Sequence, residues 1–188
     1  MMPYVLASCA ALAAGECLPI RKVEFALNIF VLDLDPQICA EYHNDRHVVK
    51  MLLESGQLLS NAHYFTGSQG ICKQTHFNHP CSVWVRESID NYIWLSQLGY
   101  ALCDEYTYRY DKTHAWQDNM QWLRDNVPNL PNIGLTPFAQ AMPDDYQSKN
   151  AVEAYRKYYI KEKGHIAMWK RRQVPYWYDV VPKLKKED

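Results

Sequence analysis

Residues 41–54, EYHNDRHVVKMLLE, decide the fold of this chain because they combine a helical pattern with an unusually narrow polar side. On a helix that turns about 100° per residue, His47, Lys50 and Glu54 lie close together, and His43 joins them if the helix extends that far. The rest of the circumference is almost entirely apolar. Surface helices carry a wider polar face, so the pattern predicts a mostly buried helix with a thin polar seam.

Buried polar groups need partners, and the seam therefore has two interpretations. Lys50 and Glu54 are four residues apart and can form an internal ion pair, or the seam can line a cleft. His43 and His47 are also spaced for one metal ion, but Asn44 stands where the zinc motif HExxH requires glutamate. We therefore expect no metal and no cofactor.

The composition is that of one ordinary globular domain, with 188 residues, 48% hydrophobic and 22% charged. The six cysteines show no CxxC spacing, which favours reduced and mostly buried thiols. No positive charge precedes the apolar N-terminal stretch, and no apolar run reaches the roughly 18 residues of a membrane span. The sequence thus predicts a cytoplasmic protein that is neither secreted nor inserted in a membrane.

Turn and helix signals predict an all-α bundle with at most one short strand, near residues 28–32. Asp35-Pro36 reads as a helix start, and the pattern runs to about His63 with a break near Asn44. Further helical patterns cover residues 83–110, 113–126 and 150–165, with Ser82 or Asn78 as cap candidates for the first. Four prolines make residues 126–145 an irregular connector. We expect a helical domain over 27–178, a non-core extension over 1–26 and a charged tail over 179–188.

The charge is uneven, since residues 150–188 hold 10 Lys and Arg against 5 acids whereas residues 1–149 hold 10 against 16. Near the C-terminus, cations alternate with flat rings, which is typical of nucleic-acid contact. The alternative is an aromatic segment that closes the bundle and leaves its cations in water. Most polar residues of the 83–110 helix, including Glu105, are expected on a solvated face. The predicted nucleic-acid-binding residues are His79, Arg86, Arg109, Trp169, Lys170, Arg171, Arg172 and Trp177.

Several stretches, including NIFVLDLDP, NHPCSVWVRES and WKRRQVPYW, resemble a widespread family of small phage and bacterial proteins. More distantly, CAEYHNDRHVV (39–49), ESIDNYIWLSQLGYALCDEYTYRY (87–110) and RRQVPYWYD (171–179) are similar to the pyrimidine dimer DNA glycosylase family. That resemblance implies a compact all-α fold and N-glycosylase activity with AP lyase on damaged DNA. The chain departs from the family at three points, and one of them is that the family's two helix arginines fall opposite His43 and His47. The family's nucleophile is the amine of an N-terminal threonine, and its catalytic glutamate falls opposite Asn44.

We therefore expect a DNA-acting protein of phage or bacterial origin, specifically a base-excision N-glycosylase with or without AP-lyase activity. Asp45 or Glu54 would stabilise a cationic sugar or act as base, and a desolvated Lys50 would be a nucleophilic amine. One alternative is a non-catalytic nucleic-acid-binding or virion-associated module, with RNA as the other possible partner. A further alternative is a nucleotide-directed hydrolase or transferase. The catalytic candidates are His43, Asp45, His47, Lys50 and Glu54.

Overall fold

A computed structural model describes residues 27–178 of the chain. These residues form six α-helices and two short 3-10 turns, and they contain no strand. The all-α prediction is confirmed, and the buried stretch 28–32 is irregular rather than a strand. The predicted N-terminal extension and C-terminal tail lie outside the described residues. The helices are α1 (Pro36–Tyr42), α2 (Asp45–Phe65), α3 (Pro80–Glu87), α4 (Ile89–Tyr110), α5 (Gln117–Asp125) and α6 (Ala151–Lys163).

Side-chain caps set the boundaries of the first two helices. The Asp35 carboxylate accepts from the main-chain N–H groups of residues 37 and 38, and Pro36 occupies the first turn of α1. The Asn44 side chain accepts the N–H of His47 and starts α2. The predicted break near Asn44 is therefore confirmed, because this residue takes an extended conformation to cap the second helix.

The helix predicted over residues 83–110 is two helices, α3 and α4, which meet at Ser88. Ser88 has extended backbone angles (φ −144°, ψ 148°), and its side chain caps α4. The next N–H, that of Ile89, donates to the Pro131 carbonyl at 2.8 Å. The predicted α3 caps, Ser82 and Asn78, are also wrong, since His79 Nδ1 accepts the N–H of Cys81. A lone serine between Glu87 and Ile89 gives no strong local signal for such a break.

Helices α2 and α4 form the centre of the bundle, and α1, α3 and α5 pack around them. On α6, the tyrosines at 155, 158 and 159 are all buried. Cys39, Cys81 and Cys103 are buried free thiols, whereas Cys72 is partly exposed. Among the described helices, none is both long and apolar enough to cross a membrane.

Candidate active site

The Glu54 carboxylate lies where residues 27–32 pass α2. Its Oε2 accepts the main-chain N–H of Asn28 at 3.0 Å, and its Oε1 lies 2.8 Å from Lys50 Nζ. The Glu54 side chain is only 7% exposed. Asn28 is itself anchored, since its Nδ2 donates to the Ala141 carbonyl at 2.8 Å. The carboxylate is therefore fixed by a main-chain donor on one side and a lysine on the other.

Phe30 lies two residues after Asn28, and its ring contacts both histidines of the seam. Its backbone has φ 51°, a left-handed conformation that is strained for a bulky residue. The Asn28 Oδ1 accepts the main-chain N–H of Ile29 at 2.8 Å and so helps to hold the turn. The Phe30 ring stacks on His47 at 4.5 Å between centroids and contacts Tyr159 edge-on at 5.5 Å. Packing around the ring thus holds a backbone conformation that the sequence does not reveal.

His43 and His47 are buried and uncharged at neutral pH. His43 Nδ1 lies 2.7 Å from the Cys39 carbonyl, so this nitrogen carries the proton. Burial lowers the pKa of His43 to about 4. Burial is also the main cause that lowers the pKa of His47 to about 2, with smaller contributions from His43, Lys163 and Lys50. Residues 27–178 contain no group of three or more His, Cys, Asp or Glu side chains that could hold a metal ion.

Lys50 is more exposed than the sequence pattern suggested. Its side chain is 68% accessible, and its neighbours Val49 and Leu53 are 42% and 44% exposed. The outer face of α2 is therefore wider than a thin polar seam. The expectation of a desolvated Lys50 is corrected, because its stem and ammonium group reach into solvent beside a nearly buried carboxylate.

Asp45 lies in a buried ion-pair network rather than beside Glu54. Its carboxylate accepts from Arg109 Nη1 at 2.9 Å and from the N–H of Lys170 at 2.9 Å. Arg109 is fully buried and also donates to Glu105 at 2.6 Å and to the Glu41 carbonyl at 2.9 Å. The expectation that Arg109 grips phosphate is corrected, because its guanidinium is committed to groups of the protein itself.

The C-terminal segment 169–178 closes over this network. Arg172 donates to both oxygens of Glu105, at 3.0 and 2.8 Å, and Trp169 Nε1 donates to the Tyr42 carbonyl at 2.9 Å. Trp177 is only 7% exposed. These three side chains hold the segment against the bundle. Lys170 and Arg171 face solvent and remain accessible to a partner, although Arg171 also pairs with Asp111.

The two remaining candidates for nucleic-acid contact lie on α3. His79 caps the helix and is partly buried, so one ring nitrogen is committed to a main-chain donor. The Arg86 guanidinium lies 3.9 Å above the centre of the Phe77 ring and donates to the carbonyl of the same residue at 2.6 Å. Both side chains therefore help to order the loop before α3.

Sequence reasoning missed three residues of these clusters. Glu105 was expected in water but is 1% exposed, and it links Arg109 to the C-terminal segment. The spacing of Glu105 and Arg109, four residues apart, was the available signal. Asn28 and Phe30 were missed because they act through a main-chain N–H and a backbone turn, which leave no pattern in sequence.

A family model described as pyrimidine dimer DNA glycosylase matches residues 27–118, just under half of the chain. The chain is distantly similar to that family. The match spans α1 to α4 and thus includes Glu54, both seam histidines and the ion-pair network. It supports a glycosylase-like role in DNA repair, with DNA as the partner. Neither a curated protein nor a solved structure matches the chain.

Proposed function

We propose that the protein is a DNA base-excision N-glycosylase whose active site is centred on Glu54. The family match over residues 27–118 carries the proposal. Glu54 supports it, because a nearly buried carboxylate fixed by the Asn28 N–H suits a reaction in which positive charge develops on the sugar. The chemistry breaks the bond between C1′ and the base nitrogen and requires the target base to leave the stack.

In the hydrolytic form of this reaction, the bond between C1′ and the base breaks, its electron pair leaves with the base, and Glu54 stabilises the cationic sugar. Water then attacks C1′, and its proton passes through Glu54 to the released base. His47 is kept neutral by burial and adds no positive charge to the seam. Lys50 reaches from the surface to the carboxylate, and its exposure supports a contact between its ammonium group and a phosphate of the bound strand. In the lyase form, Lys50 would first pass a proton to Glu54, 2.8 Å away, and its free amine would then displace the base from C1′. Opening of the sugar ring would convert this adduct into a Schiff base, and the departing base would take up the proton held by Glu54.

A non-catalytic DNA-binding protein is the second candidate, and Asn44 favours it. Asn44 falls where the related glycosylases have their catalytic glutamate. Its Oδ1 accepts the His47 N–H at 2.9 Å, and its own N–H donates to Tyr159 Oη at 2.8 Å. Asn44 is thus a structural cap and supplies no carboxylate. A catalytic carboxylate would have to come from another position in the chain.

Labelled duplex oligonucleotides with single lesions, among them a cyclobutane pyrimidine dimer and uracil, test the proposal with the full chain. Base release is measured as strand cleavage after alkali, and borohydride trapping reports a Schiff base. We expect Glu54→Gln to lower base release by about 100-fold or more while DNA binding persists. Glu153→Gln, which changes an exposed acid on α6, is the matched control and should retain full activity.

Two results would overturn the glycosylase proposal. If the wild type binds DNA but releases no base from any lesion, the protein is the non-catalytic module. If the wild type is active and Glu54→Gln retains full activity, the active site is not at Glu54. A borohydride adduct that disappears in Lys50→Met would assign the lyase form, whereas base release without an adduct would assign the hydrolytic form.

A further inference from the structure

A cavity lies at the C-terminal end of α2, away from Glu54. It has a volume of about 440 Å³, within the range of small-molecule sites. Glu54 and His63 are nine residues apart on α2, which separates them by about 13 Å along the helix axis. We name this cavity the Trp122 pocket, and its lining includes His63, Ser68, Gln69, Trp122, Asn126 and Asn129.

The hydrogen bonds around His63 fix which ring nitrogen carries the proton. Tyr92 Oη donates its only proton to the Leu123 carbonyl at 2.8 Å, so it must accept from His63 Nε2 at 3.0 Å. The other nitrogen, Nδ1, then carries a lone pair and lies 3.3 Å from Ser68 Oγ. Burial lowers the pKa of His63, which keeps the ring neutral at physiological pH. The pocket therefore presents an acceptor nitrogen next to a hydroxyl.

The lining combines apolar and polar side chains and carries no acid, lysine or arginine. A phosphate or carboxylate group would find no countercharge inside it, and an ammonium group would find no carboxylate. The Trp122 side chain is 40% exposed and offers a flat apolar wall, tilted 37° to the His63 ring at 5.2 Å. Gln69, Asn126 and Asn129 place amide groups on the same lining, and amide side chains bond to the edges of heterocyclic bases.

We infer that the Trp122 pocket binds an uncharged nucleobase, which stacks on Trp122 and donates a hydrogen bond to the Nδ1 side of His63. The ribose and any phosphate remain outside the uncharged lining. A free nucleoside and an unpaired nucleotide of a strand present the same ring chemistry. The inference does not depend on Glu54 or on glycosylase activity, because it concerns binding at a separate cavity.

Adenosine, AMP, ribose and a short single-stranded oligodeoxyadenylate are the probes, and the full chain is titrated by calorimetry and ligand-observed NMR. We expect saturable binding of adenosine, with AMP of similar affinity because its phosphate lies in water. Trp122→Leu should weaken adenosine binding by about tenfold or more, since it removes the stacking surface. Trp122→Phe keeps a flat ring and should remain within about threefold of the wild type. Tyr176→Ala, which removes a ring that is 69% exposed in the C-terminal segment, should change nothing.

Asn129→Ala provides a second variant. Because Asn129 is exposed, the substitution should weaken adenosine binding without disturbing the fold. If the oligonucleotide binds through Trp122 while free adenosine does not, the base is supplied by a strand. If ribose binds as tightly as adenosine, the pocket takes a sugar and the inference is wrong. It is also overturned if no probe binds, or if Trp122→Leu remains folded and keeps the wild-type affinity.

Discussion

Lys50 and Glu54 form one ion pair but differ widely in exposure, at 68% and 7% of their side chains. In Lys50→Met, Glu54 keeps the Asn28 N–H and loses only a solvated partner. We therefore expect the free energy of unfolding, measured in urea, to fall by at most about 1 kcal/mol. A fall of about 3–5 kcal/mol would instead show that the lysine neutralises a fully buried charge. Loss of base release with preserved stability would indicate that Lys50 acts on the substrate.

Arg109 is the opposite case, because its guanidinium is inaccessible and bonds to Glu105, Asp45 and the Glu41 carbonyl. Arg109→Met leaves Glu105 buried with less compensation. We expect the free energy of unfolding to fall by about 3–5 kcal/mol. Arg46→Met, which removes an exposed cation from the first turn of α2, is the control and should change it by less than about 0.5 kcal/mol. Equal effects in the two variants would contradict a structural role for the network.

Which charges lie inside could be predicted from the sequence only in part. The spacing of Lys50 and Glu54 correctly indicated a pair. The same spacing in Glu105 and Arg109 was available, yet their burial depends on Arg172 and Asp45, which are distant in sequence. Periodicity reports the face of one helix and not what covers it. Contacts such as the Asn28 N–H on Glu54 depend on tertiary structure alone.

Among the helices, those with a strong start signal were predicted well. Asp35-Pro36 and Asn44 set the ends of α1 and α2 through side-chain caps, which are local and therefore visible in sequence. The break at Ser88 was missed because it depends on the connector, whose Pro131 carbonyl takes the N–H of the next residue. Local signals thus determine helix ends where the cap is local, and they fail where a distant segment provides the partner.

The C-terminal segment 169–178 separates two neighbouring arginines into different roles. Arg172 donates to the buried Glu105 and is 28% exposed, whereas Arg171 is 45% exposed and pairs with Asp111 at the surface. We expect Arg172→Ala to lower the free energy of unfolding by about 1.5–3 kcal/mol, the value of hydrogen bonds to a charged group. Arg171→Ala should leave stability unchanged.

DNA titrations with the same two variants test whether Arg171, and not Arg172, contacts DNA. If Arg171 contacts a phosphate, Arg171→Ala should lower the slope of log affinity against log salt by about one. The slope for Arg172→Ala should match the wild type as long as the variant is folded. A lower slope in Arg172→Ala and not in Arg171→Ala would show that the segment rearranges on DNA.

For the whole molecule, the buried histidines make stability depend on pH in a defined direction. The pKa values of His43 and His47 are about 4 and about 2 in the folded protein, against an ordinary value of 6.5. Below pH 6.5 the unfolded chain therefore binds more protons at these two sites than the folded chain does. Their contribution to stability is complete above about pH 6.5 and declines as the pH falls toward 4.

The expected decline is up to about 1.4 kcal/mol per pH unit for each histidine, and so up to about 2.8 kcal/mol per pH unit for both. Urea unfolding between about pH 6 and pH 5, which lies inside the window from about 6.5 to 4, measures this decline. His47→Gln should reduce the slope by about half of that sum, because it removes one of the two linked protons. His165→Gln, at an exposed position, is the control and should keep the wild-type slope. If His47→Gln also keeps that slope, then His47 takes up its proton in the folded state. The stacked contact between His47 and Phe30 must then open to water.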